Sequence, residues 1–184
     1  MSYKLNTTTA TDINNIKDTD DATSLLSDAI LDDGLFQVYW SNGNIRYEWY
    51  YKDGKRADGI SKGWHPNGEK KSEGTYKDGK RNGLYTWWYE NGQKKKEKTF
   101  KDGELDGLQT DWNENGQKSG EGTNKDGKKV GKWTWRWDTG QKGSERNWKD
   151  GKPDGLGFQW YENGQKKKEL TYKDDKLISS STYK

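Results

Sequence analysis

Six glutamates recur at one point of a repeating stretch: Glu48, Glu73, Glu97, Glu121, Glu145 and Glu169. Two carboxylates facing one bond can hydrolyse a glycoside, but evenly spread copies do not converge on any bond. A half-buried carboxylate needs a hydrogen bond or a counter-charge. The expected partners here are turn amides, an indole N–H or a neighbouring lysine. His65 is the single histidine and stands directly before the Pro66-Asn67-Gly68 turn, where other units carry Trp, Tyr or Asn. It reads as an exposed turn-edge substitute for an aromatic. The sequence has no His pair for a metal, no nucleophile elbow and no phosphate loop, because its glycines serve turns. With no cysteine, disulfides, thiolate zinc sites and cysteine nucleophiles are excluded. The reading is a chain that is not an enzyme and uses neither metal nor cofactor.

Binding chemistry is better represented. The 184 residues include 11 Trp, 11 Tyr and 33 Lys plus Arg, against 27% hydrophobic content overall. Few aliphatics and 34% charged residues alone would point to disorder, but disordered chains are poor in large aromatics. Such a composition suits a thin sheet whose strands are covered by flat side chains. Residues 1–33 hold seven Asp against Lys4 and Lys17, a net −5, and the remainder holds 31 basic and 23 acidic residues, a net +8. That is a mildly basic body, far from the dense patch of a dedicated nucleic-acid binder. No stretch approaches the roughly 20 apolar residues of a membrane-spanning helix. The N-terminus also lacks the pattern of a secretory signal, so a cytoplasmic location is expected.

The elements that would position these residues come from an internal period. Turn glycines fall at Gly43, Gly68, Gly92, Gly116, Gly140 and Gly164. A Lys-Asp-Gly series follows at Gly54, Gly79, Gly103, Gly127 and Gly151, with Asp175 in the sixth place. Six units open at Gly34, Gly59, Gly83, Gly107, Gly131 and Gly155, and a one-residue insertion lies between Gly54 and Gly59. In the third unit, Leu84 to Tyr89 is rich in strand formers, an Asn-Gly turn suited to positive φ follows, and Lys94 to Phe100 returns. The expected fold is all-β, an elongated antiparallel meander of tandem hairpins over 34–178. Residues 179–184 would form a closing polar edge strand. Residues 1–33 read as an acidic flexible arm or a helical cap, with Ser24 capping a turn that groups Leu25, Leu26, Ala29 and Ile30.

Period-two alternation separates two faces. One repeats an aliphatic residue and an aromatic four places on: Leu84 and Trp88, Leu108 and Trp112, Leu156 and Trp160, Ile60 and Trp64, with Leu35 and Tyr39 close to it. The fifth unit departs, with Lys132 and Arg136 there, Thr139 before Gly140, and Trp148 where Tyr or Phe is usual. This recurring face is expected to be the structural core. The opposite face varies, and Phe36, Trp40, Tyr85, Tyr89, Trp133, Trp137 and Tyr161 on it are the candidate partner-binding residues. On this reading Trp133→Ala with Trp137→Ala abolishes binding and leaves the fold. Trp88→Ala and Trp112→Ala destabilise it.

The stretches WYENGQKKKEKTFKDGELDG (Trp88 to Gly107) and WYENGQKKKELTYKDDKL (Trp160 to Leu177) resemble the variant MORN repeat. They are especially similar to those of bacterial YwqK-family antitoxins. The resemblance covers about 34–178. It implies an elongated twisted sheet, a binding role and, in the bacterial branch, an antitoxin or immunity partner for a toxin. The residues favour a protein partner, since Tyr, Trp and Arg are enriched at binding hot spots. Carbohydrate or cell wall is an alternative, because aromatic platforms stack on sugars and cations. Anionic membrane is another, through Lys94-Lys95-Lys96 and Lys166-Lys167-Lys168, although these runs read more simply as a solvated, edge-protecting strand face. Single-stranded nucleic acid is a fourth and less favoured class. The sequence leaves the oligomeric state open.

Overall fold

The structure is a computed structural model describing residues 33–53 and 55–183. Its strands are β1 (Gly34–Tyr39), β2 (Ile45–Lys52), β3 (Lys55–Arg56), β4 (Gly59–Trp64), β5 (Lys70–Lys77), β6 (Lys80–Trp88) and β7 (Lys94–Lys101). The second half continues with β8 (Glu104–Trp112), β9 (Lys118–Lys125), β10 (Lys128–Arg136), β11 (Lys142–Lys149), β12 (Lys152–Trp160), β13 (Lys166–Lys173) and β14 (Lys176–Thr182). All lie in one sheet in sequence order, with only β3 off the path, paired to β2. No helix and no second layer occur among the described residues. This is the all-β meander expected of tandem hairpins. At ~4.8 Å per strand it is roughly 60 Å across. The arm or cap expected over residues 1–33, and its Ser24-capped turn, lie almost wholly outside the described residues.

The two turn series have different geometry. In the fully described Lys-Asp-Gly turns both central residues are left-handed (Asp78 φ 50°, Gly79 φ 74°), and Lys77 faces Lys80. That is the two-residue hairpin whose twist matches its strands. Asp175 holds the second position of the last such turn at φ 71°, without a glycine's freedom. In the Asn-Gly turns only the glycine is left-handed (Gly92, φ 80°). Gly92 N–H donates to Tyr89 O at 3.0 Å and Tyr89 N–H to Gln93 O at 2.9 Å, a three-residue loop closed by a glycine bulge. The asparagine is therefore not selected for positive φ, as the sequence reading supposed.

The inserted residue also has a visible effect. Elsewhere the opening strand runs unbroken, as β6 does, but Ala57 and Asp58 separate β3 from β4. At the other end, β14 follows the sixth hairpin and begins at Lys176, three residues before the expected edge strand. The lysine runs lie on β7 and β13, which have neighbours on both sides. They do not protect an edge.

Burial contradicts the expected assignment of faces. Leu35, Ile60, Leu84, Leu108 and Leu156 are 45–69% exposed, a solvent-facing row rather than a core. The buried hydrophobics are Val38, Trp49, Tyr76, Tyr85, Phe100, Trp133 and Leu170. All project from the other face, where the register places Gly74, Tyr85, Lys98 and Gln109 side by side, then Gly122, Trp133, Arg146, Gly157 and Leu170. A single-layer sheet buries a ring by laying it on the adjacent strand, and that requires a small residue there. A Cβ at Gly74 would lie 2.0 Å from Tyr85 Cδ2, and one at Gly122 would lie 2.1 Å from Trp133 Cδ2. Tyr85 and Trp133 are thus each fixed to a glycine on the strand beside them, a pairing made at the junction of the second and third units and again at that of the fourth and fifth.

Candidate functional site

Both turn rows are stapled into ladders along the array. Each Asn-Gly asparagine accepts the N–H two residues on, as Asn91 Oδ1 does from Gln93 at 3.0 Å. In four of them the amide then donates to a carbonyl of the next unit, whereas that of Asn163 donates to Gln165 Oε1 at 3.2 Å. Asn42 reaches Pro66 O at 2.7 Å, Asn67 Glu90 O at 3.1 Å, Asn91 Glu114 O at 2.9 Å and Asn115 Asp138 O at 3.3 Å. Thr139 has no amide to continue the series.

In four loops the first residue forms a second ladder. Trp40 Nε1 donates to Trp64 O at 3.0 Å, Tyr89 Oη to Trp112 O at 2.8 Å, and Trp137 Nε1 to Trp160 O at 3.3 Å. His65 Nε2 lies 3.0 Å from Trp88 O. A carbonyl only accepts, so this nitrogen carries the proton. The histidine does stand in an aromatic's place as expected, but it is half-buried rather than exposed, and its donor role was not foreseen. At the opposite turns Gly103, Gly127 and Gly151 donate their N–H groups to Arg81, Leu105 and Lys129 carbonyls at 2.9–3.0 Å.

The recurring glutamates have the lysine partners expected for them. Lys70–Glu73, Lys118–Glu121 and Lys142–Glu145 pair at 2.9 Å, Lys94 pairs with Glu97, and Lys62 reaches Glu48 at 3.7 Å. Lys70, Lys94 and Lys142 also sit 5.2–5.7 Å from the rings of Trp88, Trp112 and Trp160. In the fifth unit Arg136 takes the tryptophan's place and pairs with Glu121 at 2.9 Å. That guanidinium, ahead of Lys118, holds the Glu121 carboxyl below the usual range. Tyr183 fills the same slot at the end, donating to Glu169 at 3.0 Å. On this face the charges are matched internally.

The other face carries three groups of rings under cations. Arg56 lies 4.7 Å from Trp49 and 4.4 Å from Tyr76, Arg81 lies 4.8 Å from Tyr85, and Lys129 lies 4.4 Å from Trp133. Sequence reasoning missed these caps. Their signal was a basic residue two places after the turn glycine, present in some units and replaced by Leu105 and Pro153 in others. Two open clefts lie on this face. One, of 340 Å³, is walled by Trp87, Phe100, Lys71, Lys95, Lys96 and Lys98 among others. The second, of 310 Å³, is walled by Trp135, Trp137, Ser144, Gln159, Trp160 and Lys167 among others.

The seven predicted contact residues divide accordingly. Tyr85 and Trp133 are 6% and 2% exposed and belong to the core, so their assignment to an accessible surface is corrected. Phe36 is half-buried against Trp49 at 4.8 Å between centroids. Trp40 and Tyr89 are half-buried ladder donors. Trp137 and Tyr161 are 38% and 42% exposed, and Trp137 walls the second cleft. Among the described residues no group of three His, Asp or Glu side chains could hold a metal. No helix among them is long and apolar enough to cross a membrane.

A family model described as the MORN repeat variant matches residues 32–53, 57–78, 81–102 and 153–174. This chain is a MORN-repeat protein. No match was found among curated proteins. The stretch between the third and fourth matches holds the fourth and fifth units. Their hairpins repeat the register of the matched MORN units, bulge included. The structure thus extends the MORN array through units that the family pattern passes over. MORN repeats are in general non-catalytic scaffolds.

Proposed function

We propose that this MORN array is a non-enzymatic scaffold that holds a protein partner on its ring-bearing face. The observation that carries the reading is the asymmetry of the two faces. One matches its charges in lysine–glutamate pairs, whereas the other opens two clefts whose walls include Trp and Arg, residues enriched at binding hot spots. The predicted contacts that keep accessible surface, Trp137 and Tyr161, belong to this face. Within the proposal, a toxin held by an antitoxin or immunity protein is the narrower form that the bacterial resemblance suggests.

A photo-crosslinking side chain at Trp137 or Tyr161 in the native host should give one discrete protein adduct. The same side chain at Leu84 or Leu108 should give none. Adducts from the leucine row alone would overturn the choice of face. Recovery of the chain with purified wall material or anionic liposomes, and no protein adduct, would favour the carbohydrate or membrane alternatives.

A further inference from the structure

The third unit departs from its neighbours in charge. Lys95, Lys96 and Lys98 stand where the fourth unit has Ser119, Gly120 and Gly122, and where the second has Lys71, Ser72 and Gly74. The hairpins are otherwise superimposable in register, so the fold does not require these cations. They wall the 340 Å³ cleft together with Lys71, Arg81 and the half-buried Trp87. Lys96 faces Trp87 across the sheet and Lys98 faces Tyr85. Asp111 lies 3.7 Å from Lys96. Lys98 makes no ion pair among the described residues. Burial, and secondly Lys96, hold its ammonium below the usual lysine range. A half-buried cation crowded by other cations costs stability. Its presence makes sense if an anion arrives from outside, as expected where a chain breaks a local rule at a functional site.

Resting on the protein-binding reading above, we propose that this cleft receives an acidic segment of the partner, with one aromatic side chain entering over Trp87 and flanking carboxylates on Lys95, Lys96 and Lys98. The interruption of the lysines at the fourth unit, by Ser119, Gly120 and Gly122, favours a short peptide anchor over single-stranded nucleic acid. A nucleic acid would track along alternating rings and cations, but on one side the track meets Asp111, Gly120 and Gly122. The second cleft has Lys167 as its one lysine. Shape and charge together define a ring between carboxylates.

The test uses the full chain and a short synthetic peptide of glutamates around one phenylalanine, with binding followed by calorimetry. Lys95→Glu with Lys98→Glu should weaken binding by at least about tenfold. Lys167→Glu with Lys168→Glu, the same charge change in the sixth unit, should alter it by less than about twofold. Thermal melts of both double variants confirm that each is folded. Because Lys98 pairs with carboxylate on binding, wild type should take up protons in alkaline buffer and Lys98→Met should take up fewer. Equal losses in the two double variants would reduce the effect to net charge and sink the proposal. So would an oligothymidylate binding more tightly than the peptide, or no peptide binding at all. If the native partner still crosslinks at Trp137 in the Lys95→Glu, Lys98→Glu chain with undiminished yield, the scaffold reading stands and this cleft is not its site.

Discussion

A glycine beneath a ring is a stronger structural commitment here than any of the turn glycines. Gly122 has an ordinary strand conformation, so its value lies wholly in the space it leaves for Trp133. Gly122→Ala should destabilise the array by about 1–3 kcal/mol through overpacking, and Trp133→Ala by about 3–5 kcal/mol. The double variant should cost clearly less than the sum, since the added methyl then has no ring to displace. Strict additivity in denaturant melts would show that the two residues do not share one packing site. This reverses the outcome expected from the sequence, in which Trp133 was dispensable for folding. Tyr85 adds a pH signature. Its phenol is pushed up to about 12, first by burial and then by Tyr76, with Arg81 and Arg56 acting against them. A group whose folded pKa lies above its unfolded value contributes stability that is complete below the unfolded pKa and lost as pH rises through the folded one. Between about pH 10 and 12 the wild type should lose on the order of 2–3 kcal/mol that Tyr85→Phe does not. Lys98 and Lys129 titrate in both chains and cancel in the difference.

At the scale of the element, the ladders rather than the strands distinguish one hairpin from its neighbour. The asparagine amide joins successive loops in four places and stops where Thr139 replaces it. Asn91→Ala should cost about 1–2 kcal/mol, because it leaves one loop N–H and one carbonyl to be satisfied by water. Thr139→Asn should do the opposite, raising stability by about 0.5–1.5 kcal/mol through a new bond to the sixth loop. No gain in melting temperature from Thr139→Asn would mean that the fifth loop holds a different path. Hairpins, their turns and the all-β meander were legible in the sequence because each depends on residues adjacent in the chain: Asn-Gly, Lys-Asp-Gly and period-two alternation. The glutamate–lysine pairs were legible for the same reason. The core face was not. Its determinant is a relation between strands, Gly74 with Tyr85 and Gly122 with Trp133, that alternates across units. Looking for what repeats therefore selected the exposed leucine row. Of the predicted contacts, Trp40 and Tyr89 were also misjudged as free surface, since their acceptors lie 24 and 23 residues away.

For the whole molecule, a single layer has no central core to make it cooperative, and each unit touches only its neighbours. What couples units is the continuity of the ring groups. Arg56 spans the first two by contacting both Trp49 and Tyr76, and Tyr76, Tyr85 and Phe100 form one buried cluster with Trp87 and Leu105 packed against it. The third group, around Trp133, begins at β10. Between them the ring-bearing face is polar: Asn124 Nδ2 donates to Gln109 Oε1 at 3.3 Å, and Gln109 Nε2 donates to Asp111 Oδ2 at 2.8 Å. Hydrogen bonds of this kind contribute less net stability than the burial of a ring. The junction of β8 with β9 should therefore be where the array opens first, apart from its ends. Hydrogen exchange at low denaturant should show faster exchange in the strand amides that pair β8 with β9 than in those of β6 with β7 or β10 with β11. Gln109→Tyr, placing a ring over Gly122, would compete with Trp133 and should not close the gap. Gln109→Leu with Asn124→Val replaces the polar joint by aliphatic contact and should raise protection there towards that of the flanking strands. Uniform exchange from β5 to β13 in the wild type would instead mean that the backbone ladders alone make the array cooperative, and that the ring groups add stability without dividing it.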